Sequence, residues 1–60
     1  MKTIIIDDEI LSIETLSRML LEYDDIEVVG SACNTTVAEG QIKAASPDLV
    51  FLDVELPGMS

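Results

Sequence analysis

Three short, evenly spaced apolar runs most limit what this chain can fold into. They are Thr3–Ile6, Ile26–Val29, which is interrupted by Glu27, and Leu49–Leu52. A continuous run such as Thr3–Ile6, rich in β-branched residues, is typical of a strand buried on both faces. Strands joined by helical crossovers are parallel, and such crossovers are right-handed in nearly all cases. The runs therefore predict a parallel sheet, provided that the segments between them are helical.

Both intervening segments have the spacing of amphipathic helices. In Ile10–Glu22, apolar residues recur every three to four positions. These are Ile13, Leu16 and Leu20, and Tyr23 continues the same spacing just after the segment. The second helix is predicted to start near Thr35 or Thr36, because Thr36 and Glu39 have the spacing of a capping box, and to end before Pro47. The predicted order is β-α-β-α-β, which is half of a doubly wound α/β sheet.

Acidic residues directly follow two of the predicted strands. Asp7 and Asp8 come after the first run, and Asp53 comes after the third. If these strands are parallel neighbours, the carboxylates meet at the carboxyl edge of one sheet, where open α/β sheets bind ligands. Clustered carboxylates repel each other, and Mg²⁺ relieves that repulsion with oxygen ligands. Asp7 or Asp8 could instead cap the following helix, which would explain one carboxylate but not three.

The composition excludes several classes of function. Twelve acidic residues against three basic ones give a formal net charge of −9, which argues against direct nucleic-acid binding by this segment. One cysteine permits no internal disulfide, and the absence of histidine argues against a zinc site. No apolar stretch is long enough to span a membrane, and no signal peptide is expected. We therefore expect a soluble, cytoplasmic protein.

The chain is short and yet apolar. With 60 residues, it forms at most one small domain, and a domain of this size is marginally stable alone. Its hydrophobic content is 48%, which suggests a piece of a larger core.

Two motifs resemble a known family. The segment Ile4–Glu9, with sequence IIIDDE, resembles the opening of a two-component response-regulator receiver domain. The segment Pro47–Ser60, with sequence PDLVFLDVELPGMS, resembles the phosphoacceptor strand of that family and the loop after it. The resemblance covers the whole chain. It implies a flavodoxin-like fold with strand order 2-1-3, and it identifies residues 1–60 as the N-terminal part of a receiver domain that stops after the third strand and its loop.

The resemblance also implies a role for each acidic residue. Asp53 would be the phosphoacceptor, taking a phosphoryl group from a sensor histidine kinase or from a small donor such as acetyl phosphate. Asp7, Asp8 and Asp53 would bind Mg²⁺, with Asp8 as a direct ligand and Asp7 acting mainly through water. The backbone carbonyl of Glu55 would complete the protein ligands. The domain would be a signalling module and not an enzyme.

Further expectations concern the rest of the protein. The sequence of Phe51–Ser60 resembles that of receivers attached to LytTR-type DNA-binding domains, so the full-length protein is expected to control transcription. The family's conserved lysine and switch hydroxyl lie beyond Ser60, and the 60-residue segment alone is expected to be phosphorylated poorly. Its third strand, Leu49–Leu52, would be an exposed apolar edge, which predicts self-association through that strand.

Two other readings remain open. The sequence Asp53-Val54-Glu55 could belong to a Mg²⁺-dependent phosphotransferase of the haloacid-dehalogenase type. That family has its Asp-x-Asp motif on the first strand, however, and its second acid is Asp. Alternatively, the chain could be a receiver-like interaction domain that is not phosphorylated. The presence of Asp7, Asp8 and Asp53 together argues against that reading.

Overall fold

The structure, a computed structural model, describes residues 1–53. These residues form five elements in β-α-β-α-β order: β1 Lys2–Ile6, α1 Ile10–Leu20, β2 Glu27–Ala32, α2 Thr35–Ala45 and β3 Leu49–Leu52. The strands form one parallel sheet in the order β2-β1-β3. The predicted fold class and the strand order 2-1-3 are confirmed, and the arrangement is that of half a flavodoxin-like doubly wound sheet.

The central strand supplies both halves of the core. Successive side chains of a strand point to opposite faces of the sheet, so the three isoleucines of β1 divide between the two helices. Ile4 and Ile6 pack with Ala32 and Ala38 on the face covered by α2. Ile5 lies on the other face, which α1 covers. The helices therefore enclose β1 from both sides, and Ile4, Ile5 and Ile6 are all buried.

The face covered by α1 is built around Ile5, Ile13 and Leu20, all of which are buried. The partly buried residues packed against this group are Leu16, Ile26, Val28 and Phe51. Tyr23 does not belong to it, although its spacing predicted an apolar position. The helix ends at Leu20, before the predicted end at Glu22, and Tyr23 lies in the following turn with 57% of its surface exposed.

The second strand extends further than the sequence predicts. The run Ile26–Val29 predicts a strand that ends before Gly30, but Gly30 and Ser31 are both paired with β1. The pairing is irregular at Val29, because its neighbours Val28 and Gly30 pair with consecutive residues of β1. Val29 is therefore the extra residue of a β-bulge, a feature that increases local twist. The longer β2 carries the chain to the edge of the sheet where β1 also ends.

The second helix begins at Thr35, as predicted, but its cap differs from the prediction. Asn34 is the N-cap residue, and its side-chain oxygen accepts a hydrogen bond from the Val37 N–H over 2.9 Å. Thr36 lies one residue inside the helix, so the capping box expected from Thr36 and Glu39 is wrong. Asparagine is among the best N-cap residues because its short side chain reaches the free N–H groups of the first turn.

The end of the second helix sets the start of the third strand. Ser46 adopts a left-handed conformation with φ of 46°, and its N–H donates to the Ile42 carbonyl over 2.9 Å. This left-handed cap, followed by Pro47, ends the helix and turns the chain back toward the sheet. β3 then occupies Leu49–Leu52, the range that the sequence predicts.

Candidate functional site

The carboxyl edge of the sheet holds the acidic residues that follow β1 and β3. The Asp7 N–H donates to the Ala32 carbonyl at the end of β2 over 3.0 Å. The Asp53 N–H donates to the Ile6 carbonyl at the end of β1, also over 3.0 Å. Both residues are thus fastened to a neighbouring strand by their backbone. Their positions follow from the register of the sheet and not from loop conformation.

Three carboxylates come together at this edge. Asp7, Asp8 and Asp53 each offer an oxygen, and these oxygens all lie within 4.8 Å of one another. Asp7 and Asp53 are partly buried, whereas Asp8 is exposed. The structure therefore brings together the three aspartates that the sequence places at the ends of parallel neighbouring strands.

Asp7 is held in place by its own turn. Its Oδ1 accepts a hydrogen bond from the Glu9 N–H over 2.9 Å. This side-chain bond to the backbone two residues on is an Asx turn, which leads the chain from β1 into α1. Glu9 occupies the N-cap position of α1 and makes no side-chain cap bond. The alternative in which Asp7 or Asp8 caps α1 is not observed. Asp7 instead forms a turn that precedes the helix and orients its carboxylate.

The surroundings raise the pKa of the Asp8 carboxyl above its ordinary value. The largest cause is partial desolvation by neighbouring atoms, and repulsion from the Asp53 carboxylate is next. A hydrogen bond to Asp7 and the charge of Asp7 act in the same direction. Each of these effects disfavours the charged form of Asp8. The cluster thus carries a repulsion that a cation would relieve.

A small cavity lies beside the carboxylates on the α1 face of the sheet. Its volume is about 220 Å³, and Asp7 and Asp53 lie on its wall. The apolar part of the lining consists of Ile5, Ile6, Leu16, Phe51 and Leu52. The sequence did not identify Leu16 and Phe51 as residues of this site. Their positions on the apolar face of α1 and next to Asp53 are the signals that could have indicated it.

The donor set of the cluster fits a hard divalent cation. Mg²⁺ and Ca²⁺ take oxygen ligands, and Mg²⁺ is commonly bound through a few carboxylates with water in its other positions. Asp7, Asp8 and Asp53 supply only oxygens, and their mutual repulsion favours bound positive charge. The fourth predicted ligand, the Glu55 carbonyl, lies outside the described residues, as does most of the predicted loop after the third strand.

Neither helix within residues 1–53 is long and apolar enough to cross a membrane.

Comparison with known proteins gives one family. The family model described as the response regulator receiver domain matches residues 3–60. The transcriptional regulatory protein BtsR of Salmonella typhi is 42% identical over 59 residues, which cover 98% of this chain and 25% of that protein. Its counterpart in Escherichia coli strain K12 is 41% identical over the same shares.

A relative with a different name matches as well. The protein-glutamate methylesterase/protein-glutamine glutaminase of Desulfotalea psychrophila is 38% identical over 60 residues, which cover 100% of this chain and 16% of that protein. No solved structure gives a significant match. The chain thus spans a quarter or less of the length of these relatives.

Proposed function

This chain belongs to the response regulator receiver domains, and from that premise we propose that Asp53 accepts a phosphoryl group in two-component signalling. The observation that carries the proposal is the cluster of Asp7, Asp8 and Asp53, with oxygens within 4.8 Å of one another beside a cavity. A carboxylate on the cavity wall has access to an incoming phosphoryl group. Two further carboxylates next to it create a strongly negative site that a cation would neutralise.

We propose that Asp7, Asp8, Asp53 and the backbone carbonyl of Glu55 hold Mg²⁺. Asp8 is assigned as a direct ligand, and Asp7 is assigned a role mainly through water. Bound Mg²⁺ would neutralise the negative charge that builds up when a carboxylate approaches a phosphoryl group. The raised pKa of Asp8 supports this assignment in part. Its largest cause is desolvation, but repulsion from Asp53 and Asp7 also contributes, and a cation would offset that repulsion.

In the proposed reaction, an oxygen of the Asp53 carboxylate attacks the phosphorus atom of the donor. A new O–P bond forms, and the bond from phosphorus to the donor breaks. The leaving group is the imidazole of a phosphohistidine on a sensor histidine kinase, or acetate when the donor is acetyl phosphate. The backbone bond from Asp53 to Ile6 fixes the nucleophile, and the Asx turn fixes the neighbouring Asp7 carboxylate. The product is an aspartyl phosphate with additional negative charge.

The signal would then pass to an output domain. Relatives named as transcriptional regulatory proteins support a role in transcription for the full-length protein. We propose a LytTR-type output domain because the sequence of Phe51–Ser60 resembles that of receivers attached to such domains. The net charge of −9 supports an output that contacts DNA through another domain and not through this segment. We propose a cytoplasmic setting, where kinases and acyl phosphates supply phosphoryl groups.

We also propose that residues 1–60 form the N-terminal part of the receiver domain and that they self-associate through β3 when separate. In residues 1–53, β3 is paired only with β1, and its Val50 and Leu52 side chains are 37% and 42% exposed. An uncovered strand edge of this kind pairs readily with another strand. Light scattering of the 60-residue segment at rising concentration tests this, and a monomer throughout would contradict it.

Phosphorylation of the full-length protein tests the main proposal. Incubation with acetyl phosphate and Mg²⁺ should add one phosphoryl mass at Asp53, and Asp53→Asn should abolish it. Asp24→Asn removes the same charge from an exposed turn and should leave labelling unchanged. Labelling that persists in Asp53→Asn would refute the assignment. Absence of any labelling together with absence of Mg²⁺ binding would favour the interaction-domain reading. Steady hydrolysis of a phosphomonoester would favour the haloacid-dehalogenase reading.

A further inference from the structure

The amino-terminal edge of the sheet holds a paired contact between Asp48 and Lys2. The Asp48 N–H donates to the Lys2 carbonyl over 2.8 Å. In the opposite direction, the Lys2 N–H donates to Asp48 Oδ2, also over 2.8 Å. One residue before β3 thus binds both backbone polar groups of the first residue of β1.

The Asp48 carboxylate accepts the hydrogen bond from the Lys2 N–H that a backbone carbonyl would accept in a regular ladder. The chain reaches β3 from α2 through the left-handed Ser46 and through Pro47, so regular pairing with β1 begins only at Leu49. An exposed strand N–H at this point needs an acceptor from a side chain or from water. A carboxylate is a strong acceptor for such a group, because hydrogen bonds to charged oxygens are shorter and stronger than neutral ones.

This contact bears on the register of β1 and β3. Register is usually specified by alternation of apolar and polar residues, but Ile4–Ile6 and Leu49–Leu52 are apolar throughout. A slip of two residues would leave every side chain on its present face. It would displace Asp53 by roughly 6.6 Å along the strand, since each residue of a strand rises about 3.3 Å. That displacement exceeds the 4.8 Å within which the three carboxylate oxygens now lie.

We propose that Asp48 is a positioning residue whose carboxylate, by accepting from the Lys2 N–H beside the backbone bond, fixes the register of β3 against β1 and thereby holds Asp53 beside Asp7 and Asp8. The inference rests on the proposed function for its consequence, because Asp53 is the assigned phosphoacceptor. Asp48 itself lies at the opposite edge of the sheet and touches no reacting group.

Amide hydrogen exchange in the full-length protein separates a register effect from a general loss of stability. The Asp53 N–H reports the contact of β3 with β1, and the Asp7 N–H reports the contact of β1 with β2. Asp48→Ala should accelerate exchange at Asp53 about tenfold relative to exchange at Asp7, a ratio that corresponds to about 1.4 kcal/mol. Equal acceleration at both positions would overturn the proposal.

Matched variants sharpen the comparison. Asp48→Asn keeps an acceptor oxygen without the charge and should bring the ratio closer to the wild-type value than Asp48→Ala does. Asn34→Ala removes the α2 cap far from the β1–β3 contact and should leave that ratio unchanged while lowering stability. If Asp48→Ala does not fold, Asp48→Glu serves in its place, because it displaces the carboxylate by one methylene. This variant should still accelerate exchange at Asp53 relative to exchange at Asp7. A wild-type ratio in Asp48→Glu would then overturn the proposal.

Labelling with acetyl phosphate extends the test to function. At a temperature where all variants are folded, Asp48→Ala should slow labelling of Asp53 about tenfold and Asp48→Asn should slow it less, whereas Asn34→Ala should label at the wild-type rate. Wild-type labelling in Asp48→Ala would overturn the positioning role. If the wild-type protein takes no phosphoryl group, the proposed function fails, and the exchange ratios still decide whether Asp48 fixes the register.

Discussion

The side chain of Gln41 on α2 lies across Gly30 on β2, and a β-carbon at position 30 would overlap the Gln41 side-chain oxygen. Gln41 Nε2 donates to the Ser31 carbonyl over 2.6 Å. Gln41 Oε1 is buried and has no hydrogen-bond partner within residues 1–53. The absence of a side chain at position 30 thus allows a helix residue to bond to the backbone of the bulged strand.

Gly30→Ala should therefore act through Gln41. The new methyl group would displace the Gln41 side chain and break its bond to Ser31, at a cost of about 1 kcal/mol. Alanine in a strand gains about 0.5–1 kcal/mol over glycine, so the net change in the free energy of unfolding should be small. In a Gln41→Ala background only the gain remains, and Gly30→Ala should stabilise. A double-mutant cycle by urea unfolding measures the coupling, and additive effects would contradict this contact.

Two adjacent leucines at the end of α1 should respond very differently to truncation. Leu20 is 6% exposed and packs against Ile5, whereas Leu21 is 80% exposed. Leu20→Ala should lower the free energy of unfolding by about 2–5 kcal/mol, because it removes buried methyl groups and leaves a cavity. Leu21→Ala should change it by less than about 0.5 kcal/mol. Urea unfolding of both variants checks this, and similar losses would place Leu21 in the core.

The fold could be predicted to this extent because the apolar runs and the helical spacing agree with each other. The sequence failed where local preference competes with tertiary pairing. Gly30 and Ser31 have a low strand preference, but pairing with β1 holds them in β2. Tyr23 continues the spacing of α1, but the helix ends before it. For Gly30 and Ser31 a contact distant in sequence decided the outcome, whereas Tyr23 lies in a turn of local backbone hydrogen bonds that follows α1.

The cap of α2 offers a direct comparison of two candidate residues. Asn34 accepts a hydrogen bond from Val37, whereas Thr36 is exposed within the first turn. Asn34→Ala should lower the free energy of unfolding by about 1 kcal/mol, the usual cost of losing an N-cap. Thr36→Ala should have little effect or stabilise slightly, since alanine is the better helix former. Thermal unfolding distinguishes them, and a larger loss for Thr36→Ala would restore the capping box predicted from the sequence.

The acidic cluster was predictable from the strand order, whereas the hydrogen bonds and packing contacts that position it were not. Asp7 and Asp53 follow strands that are parallel neighbours, and that placement needs only the strand order. The Asx turn to Glu9 and the bond from Lys2 to Asp48 depend on side-chain orientation, which residue spacing does not encode. The cavity wall formed by Leu16 and Phe51 depends on how α1 packs against the sheet.

The raised pKa of Asp8 predicts how stability depends on pH. Its folded-state pKa lies above the ordinary 3.8, so the folded protein binds a proton on Asp8 more tightly than the unfolded chain does. The contribution of Asp8 to stability is therefore greatest below that ordinary value and is lost as the pH rises through the raised pKa. Asp8→Asn should remove this loss and raise the free energy of unfolding at neutral pH in the absence of divalent cations.

Added Mg²⁺ should make the wild-type protein more stable than Asp8→Asn, which reverses their order in the absence of divalent cations. A cation that binds only the folded state raises the free energy of unfolding. Once the cation concentration exceeds the dissociation constant, this gain grows with the logarithm of that concentration. Wild-type protein should gain stability with added Mg²⁺, whereas Asp8→Asn should gain much less. Asp24→Asn removes an equal charge outside the cluster and should keep the wild-type response to Mg²⁺. Thermal unfolding between pH 3 and 8, with Mg²⁺ or with a chelator, measures both effects, and equal Mg²⁺ stabilisation of wild type and Asp8→Asn would remove Asp8 from the ligand set.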